Sequence, residues 1–460
     1  MQVKNVSICP TETAKAVGRP ALTPELLAAC GARYSRNNEG LESILAKIDP
    51  ANLDKSVDGI FKMIDYGHQS IADMVPIAMF IDEISIFQAY IIWSWCPTAG
   101  GQESSTRYIK LDRSGLVHPS LFGLQAYQHD QWYSFMDECF DAYGSAVGFW
   151  ERVGTEAPEL ARIPDSLLSD SSEKAKKQVT RMKRNYAFDR ARYFLPVAAQ
   201  TNMMLLMSAR GWVQLCQNLL SHWLPEANLL GIKIKEELAL SAPRMVKHAE
   251  RKASFIAGHV AEFSAIVEAA KTEELPLGEA PCLPSIEIFP PIGISESDVV
   301  ESLRHHDNRY AFVGSAACRT SIRFSWTAVA IAEIRDLNRH RTGQKYCPLL
   351  PQGFYCAKDQ LPQGKRLNAR FDLLGDRSTN KCRGSIAKNE PAFAAWLLLG
   401  TQFRFEHSTT FDKFIYEAEL RTGTGAHYRY ASHLRDMVAN LKKQYPKLAE
   451  AINLGSAEPE

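Results

Sequence analysis

Apolar residues recur along much of the chain at the three-and-four spacing of an amphipathic helix. Leu434, Met437, Val438, Leu441 and Tyr445 form one such stripe, which predicts a helix that buries that face. Ile331, Ile334 and Leu337 form another. The first helix breakers downstream are Gly343 and then Pro348. The spacing therefore places Arg339, His340 and Arg341 at or just past a helix C-terminus. Two stretches lack this period. Residues 163–186 are polar and charged, and read as an exposed helix or loop. Residues 271–297 carry five prolines and no helical period, which predicts a domain boundary. The tail GSAEPE is expected to fray.

With 460 residues, two compact units are expected. A hydrophobic content of 45% and a charged content of 23% are ordinary for a soluble globular protein. A net charge of +1 provides no global field to recruit nucleic acid or an anionic membrane. The first residues, MQVKNVSICPTETAK, contain no apolar core of signal-peptide length. No run of 18 apolar residues occurs; the densest, Ile84 to Trp95, carries Ser85 and Gln88. A cytoplasmic protein without membrane contact is expected. The ten cysteines form no CxxC pair, and in a reducing compartment they read as buried small hydrophobes, with no metal site expected.

One basic residue near a helix C-terminus merely complements the macrodipole. Here three stand together, followed by Thr342-Gly343-Gln344 and a proline-broken loop. Arginine grips phosphate with a rigid fork of donors, so a nucleotide or cofactor phosphate is the expected partner. A nucleic-acid surface would need interleaved aromatics and a wider basic face.

The Arg339-His340-Arg341 stretch resembles the first part of the signature of the flavin-dependent thymidylate synthases (ThyX), in which Arg-His-Arg is followed after a spacer by Ser-x-Arg. Leu349 and Pro351 fall where the Ser and Arg are expected. The second part is matched in the N-terminal half by GQESSTRYIKL, residues 101–111, with Glu103, Ser105, Arg107 and Tyr108. There Trp95-Cys96-Pro97 stand where Arg-His-Arg is expected. GHQSIADM, residues 67–74, resembles a further family element, with His68, Ser70 and Asp73. ARYFLP, residues 191–196, resembles the Ala-Arg-x-x-Leu-Pro element, and Ser208-Ala209-Arg210 resembles Asn-Ala-Arg. In the C-terminal half, Leu397-Leu398 and Ala394 fall where the first half has Leu195-Pro196 and Arg192. Leu420-Arg421 matches the pair on the family's last helix.

The resemblance implies an α+β fold: two fused ThyX-like copies, helix-rich, each with a central, mainly antiparallel sheet. The first copy would span 1–270 with a polar insertion at about 163–186, the linker 271–297, and the second copy 298–460. Each copy lacks what the other keeps. Family homotetramers build each site at subunit interfaces, so a homodimer forming a pseudo-tetramer is implied. The implied reaction converts dUMP to dTMP, with methylenetetrahydrofolate as carbon donor, FAD as hydride carrier and NADPH as reductant. The implied substrate residues are Arg107 and Arg192, with Ser105 and Glu103 beside the uridylate and Arg421 from the other half. Arg339, His340 and Arg341 would face flavin and folate and, with Arg107, carry catalysis. His68, Ser70, Asp73 and Arg210 would line the FAD adenosine and phosphate region. The proline-rich loop PLLPQGFYCAKDQLPQGKR, residues 348–366, differs from the family's. It leaves open C5 alkylation or hydroxymethylation of another pyrimidine nucleotide, or a catalytically silent nucleotide- or flavin-binding homologue.

Overall fold

A computed structural model describes residues 1–6, 12, 16, 22–34, 41–48, 52–65, 70–96, 99–273, 275 and 277–457. The strands are β1 (Gln2–Val6), β2 (Pro76–Ser85), β3 (Gly100–Glu103), β4 (Gln200–Ser208), β5 (Pro284–Phe289), β6 (Ser321–Ala330), β7 (Gln344–Tyr346), β8 (Gly353–Phe354) and β9 (Thr401–Thr410). The helices used below are α1 (Ile86–Trp95), α2 (His129–Glu156), α3 (Glu173–Ala191), α4 (Ala209–Ser221), α5 (Ala253–Thr272), α6 (Ile331–Leu337), α7 (Phe411–Thr422) and α8 (Tyr428–Gln444). The protein is helix-rich with antiparallel sheets.

The chain forms two compact units. One comprises Met1–Ser104, Leu116–Leu124 and Gln200–Ser264; the other comprises Ser105–Gly115, Gln125–Ala199 and Ala265–Glu460. They interleave along the sequence, whereas a boundary at 271–297 would have separated N- and C-terminal halves. Within that proline-rich stretch lies β5, where buried Ile286 and Ile288 alternate with exposed Ser285 and Glu287. Flanking prolines are tolerated because β5 is an edge strand.

The first unit holds a four-stranded sheet of order β1-β2-β4-β3, every pairing antiparallel. The β2–β4 ladder shifts register between Ile81 and Ile84, where Glu83 adopts φ 61. That bulge turns the strand into α1. Ser85 caps α1, its Oγ accepting from Gln88 N at 2.9 Å. Glu226, fully buried, accepts from Ser85 N at 2.6 Å and from Ser85 Oγ at 2.5 Å. Burial pushes the Glu226 carboxyl up to about 7.

The second unit holds a sheet of order β5-β6-β9-β7, again antiparallel, with β8 added to β9. Its β6 shifts register between Trp326 and Val329 and runs directly into α6. In each sheet the second strand leads into a helix after a bulge, and the second strand's inner neighbour leads into another (α4 and α7). Ile331, Ile334 and Leu337 of α6 are buried, as the stripe predicts. Each such side chain contributes about 1.5–3 kcal/mol. In the same unit the two Leu-Pro-like segments pair. Val197 N donates to Leu397 O at 3.0 Å, and Leu399 N to Leu195 O at 2.8 Å.

Residues 165–169 and 173–191 are helical, and the polar part of α3 is largely exposed. The tail departs from the expected fraying through Ala457. Gly455 N donates to Thr422 Oγ1 at 2.9 Å, and Ala457 N to Thr422 O at 2.7 Å. One helix among the described residues, α5, is long and apolar enough by length and composition to cross a membrane; 11% of it is buried. Its polar residues, among them His259, Glu262 and Glu268, break any continuous apolar run.

Candidate active site

The site is built on α6. Glu333 and Asp336 stand three residues apart and share a helix face. They receive Arg192, from the turn that follows α3. Arg192 Nη2 lies 3.3 Å from Glu333 Oε1, and Nη1 lies 3.5 Å from Asp336 Oδ2. The Arg192 side chain is only 2% exposed. Tyr193 Oη donates to the same Glu333 oxygen at 2.8 Å. Burial pushes Glu333 up to about 7 even with Arg192 beside it. The negative charge that Arg192 needs is therefore supplied chiefly by Asp336. Burial would raise Asp336 too, but Arg192, Arg339, Arg421 and Arg107 outweigh it and hold the carboxyl at about 2.

Arg421, in the last turn of α7, donates from Nη2 to Asp336 O at 2.8 Å and from Nε to His340 Nε2 at 2.6 Å. A guanidinium facing that nitrogen requires neutral imidazole with its proton on Nδ1. Burial, which pushes His340 down to about 3, agrees. Lys345 Nζ donates to His340 O. Glu417 lies behind, its Oε2 3.0 Å from His407 Nδ1. Gly343, at φ 67, lets the chain turn here. A Cβ would meet Ser408 O at 2.1 Å.

Arg107 lies in a turn. Its N–H donates to Ser105 Oγ at 3.2 Å. Its guanidinium grips Asp189 through Nε at 2.8 Å and Nη2 at 3.1 Å, while Nη1 donates to Gly425 O at 3.0 Å. Arg107 opens onto a cleft of about 310 Å³, also lined by Arg162, Asn185, Tyr186, Arg190 and Tyr428. Tyr428 Oη donates to Tyr193 Oη at 3.3 Å, which links the cleft wall to Glu333.

The second unit thus gathers Arg107 and Arg192 from the upstream elements with Arg339, His340 and Arg421 from the downstream ones, around Asp336. Arg341 is exposed at the same loop. The other expected residues lie elsewhere. Glu103 belongs to the first unit and accepts from Trp93 Nε1 at 3.0 Å. Asp73 and Arg210, also in the first unit, pair at 3.0 Å on an exposed surface. Ser70 is exposed at the start of a short helix, and His68 lies outside the described residues. Sequence reading missed Asn185, Arg190 and Tyr428. The dense DRAR and HYRY runs were the available signal, but their neighbours in space were not legible. Among the described residues no group of three His, Cys, Asp or Glu could hold a metal ion. The described cysteines are free. Burial pushes Cys96 up to about 12, so its thiol stays protonated.

Residues 21–244 match the family model described as thymidylate synthase complementing protein. Arg339, His340, Arg341 and Arg421 lie outside the matched span. The UPF0159 protein Ta1429 of Thermoplasma acidophilum is 25% identical over 234 residues, 47% of this chain and 47% of that protein. The chain thus spans about half the length of this curated relative. Among solved structures, the UMP/dUMP methylase PolB from Streptomyces cacaoi, bound with 5-Br dUMP, aligns at 15% identity. The alignment covers 54% of this chain and 93% of that one, with a TM-score of 0.29, too low to argue from.

Proposed function

Over residues 21–244 the chain belongs to the thymidylate synthase complementing (ThyX) family, and from that premise we propose that it is a flavin-dependent methyltransferase converting dUMP to dTMP. Its site is assembled within one chain from two diverged ThyX-like copies, about 1–270 and 298–460. The matching strand order and bulge position of the two sheets support two copies. By that order β5 is the counterpart of β1, so the second copy takes in part of the 271–297 stretch. A cytoplasmic homodimer, standing for the family tetramer, completes the reading.

The observation that carries it is the meeting at Asp336. Arg192, kept by one half, lies 3.5 Å from the Asp336 carboxylate, and Arg421, kept by the other, donates to Asp336 O at 2.8 Å, while Arg107 lines a cleft of about 310 Å³. Arg107 and Ser105 hold the uridylate. Arg192 and Arg421 act through Asp336, fixing α6 and His340 in place. Neutral His340 and the guanidinium groups of Arg339 and Arg341 face the redox partner. Positive charge around the cleft stabilises negative charge that develops on the pyrimidine ring.

The FAD expected of the family fits in donor chemistry. Arg341, exposed in the second unit, is a guanidinium group of the kind that grips a pyrophosphate. A cleft of about 310 Å³ is small for a whole dinucleotide, since ligand pockets run from about 300 to 1,000 Å³. Bound FAD supplies hydride chemistry, with NADPH as its reductant and methylenetetrahydrofolate as the carbon source.

One feature favours a second reading, a nucleotide-binding homologue without turnover. Both terminal nitrogens of Arg192 face carboxyl groups and Arg107 is clamped by Asp189. Product mass after incubation with dUMP, UMP or dCMP, FAD, NADPH and methylenetetrahydrofolate separates the readings. Added mass of one methyl group on dUMP supports the proposal. A hydroxymethyl adduct, or a product from UMP or dCMP alone, identifies a different pyrimidine-modifying enzyme. Nucleotide binding without any product supports the silent homologue.

A further inference from the structure

The second unit holds a buried acid–imidazole pair with no part in the chemistry so far. His407 lies on β9 and Glu417 on α7, their side chains 0% and 1% exposed. Glu417 Oε2 stands 3.0 Å from His407 Nδ1. At the other end of the ring, Nε2 stands 2.8 Å from Thr342 O. A carbonyl oxygen only accepts, so Nε2 donates there. Thr342 directly follows Arg341, and its carbonyl also accepts from Lys345 Nζ at 3.3 Å. Glu417 and Arg421 stand four residues apart and share a face of α7. The helix therefore reaches the Arg-His-Arg loop twice: through Arg421 to His340 Nε2, and through Glu417 and His407 to Thr342 O.

The first unit offers a comparison. In its sheet Pro76 pairs with Ser208 and Ser85 with Gln200; in the second, Ser321 pairs with Thr410 and Ala330 with Gln402. In both units the inner strand runs into its helix without a gap, β4 into α4 and β9 into α7. Counted from this register, Leu205, Leu215 and Leu219 stand where His407, Glu417 and Arg421 stand. All three leucines are buried. Gly101 lies opposite Leu205, as Lys345 lies opposite His407. Apolar residues thus satisfy the same strand and helix positions where the loop is Trp95-Cys96-Pro97 instead of Arg-His-Arg. A buried ion pair often stabilises a fold no better than apolar residues of similar volume. Stability therefore gives no reason for the polar pair; the loop it touches does.

We propose that His407 and Glu417 are positioning residues for the Arg339-His340-Arg341 loop: the carboxylate orients the imidazole, and the imidazole anchors the loop at Thr342 O. This rests on the methyltransferase reading above, in which that loop faces the redox partner. Gly343 supplies the turn, and Lys345 closes it by donating to His340 O and Thr342 O. The bond from His407 fixes where the closed loop lies over β9. Because Arg421 and Glu417 belong to one helix, sliding the loop along α7 breaks both attachments together. Misplacing a catalytic group by about 1 Å can cost about 100-fold in rate, so an anchor behind the loop acts on turnover without touching a ligand.

The test uses the paired variant His407→Leu with Glu417→Leu, which installs the first unit's residues, and His407→Gln, which keeps an amide donor toward Thr342 O. Four readouts are compared with wild type: thermal unfolding, tryptic cleavage after Arg339, Arg341 and Lys345, dUMP affinity by calorimetry, and turnover with FAD, NADPH and methylenetetrahydrofolate. The paired variant is expected to unfold at the wild-type temperature or above, because apolar packing replaces a buried ion pair. Cleavage within the loop rises by about tenfold, the scale of one lost hydrogen bond to local opening. Its kcat falls by about 10- to 100-fold, while dUMP affinity is unchanged because Arg107 and Ser105 are untouched. His407→Gln falls between wild type and the paired variant in cleavage and in kcat. The inference is overturned if the paired variant loses thermal stability with cleavage rising along the whole chain, if its loop cleavage equals that of wild type, or if His407→Gln is no better than the paired variant. Faster loop cleavage in a protein that never turns dUMP over keeps this inference and discards the enzymatic reading. Wild-type loop cleavage in a variant of an active enzyme does the reverse.

Discussion

Asp336→Asn removes the carboxylate charge that faces Arg192 at 3.5 Å while keeping the side chain's shape. Holding that carboxyl at about 2 rather than its ordinary 3.8 corresponds to roughly 2–3 kcal/mol in favour of the ionised group. Breaking one side of a buried ion pair typically costs about 3–5 kcal/mol. Glu333 remains beside Arg192, which offsets part of the loss, so about 2–4 kcal/mol is expected. For a domain of this size that lowers Tm by roughly 5–12 °C. The pH dependence has a definite sign. A depressed aspartate contributes its stability above the unfolded value and loses it as pH falls through the folded value. The Tm difference between wild type and variant should therefore be constant from pH 8 down to about 4 and narrow only below that. Circular dichroism melts across this range read it directly. An unchanged or raised Tm for Asp336→Asn, or a difference that closes between pH 8 and 5, would refute the role given to Asp336.

Arg107→Ala and Arg339→Ala should each abolish turnover, and mixing the two proteins should restore none, because both residues serve one site in one chain; recovered activity in the mixture would place them on different chains. Glu226→Gln keeps an acceptor for Ser85 N, reverses the bond to Ser85 Oγ so that the amide donates, and removes a carboxyl raised to about 7. A raised carboxyl stabilises the fold below its unfolded value and loses this as pH rises through the folded value. The variant should therefore match wild type near pH 4.5 and exceed it by up to about 3 kcal/mol at pH 8, as urea melts at both pH values would show. Gly343→Ala places a Cβ within 2.1 Å of Ser408 O at φ 67. It should cost more than about 1 kcal/mol and impair activity through the displaced Arg-His-Arg loop. A wild-type Tm would contradict this.

Periodicity carried the helices well. Leu434, Met437, Val438 and Leu441 are buried on α8, with Tyr445 at its C-cap, and Arg339 follows the end of α6 as the stripe implied. Short strands were harder. In β5 an alternation of six residues lies between prolines, and the prolines dominate the local signal. The tail is pinned by Thr422, a partner that no local pattern could reveal. Motif order named Arg107, Arg192, Arg339 and Arg421, which the fold places in the second unit, but not their states. The sequence contains Arg190 and Arg192 two residues apart; only the fold gives Arg192 two carboxyl neighbours and stacks Arg190 on the Tyr186 and Tyr428 rings. Likewise, residues 125–199 join the C-terminal part of the chain in one unit. That choice is made by long-range packing, to which a window of local periodicity is blind.

Release of tritium from dUMP labelled at C5 tests the central claim most directly, since methylation at that carbon must expel its hydrogen. With FAD, NADPH and methylenetetrahydrofolate supplied, wild-type protein should release label in step with dTMP formation, and Arg107→Ala should release none. Retention of all label by wild-type protein that demonstrably binds dUMP and FAD would contradict the account.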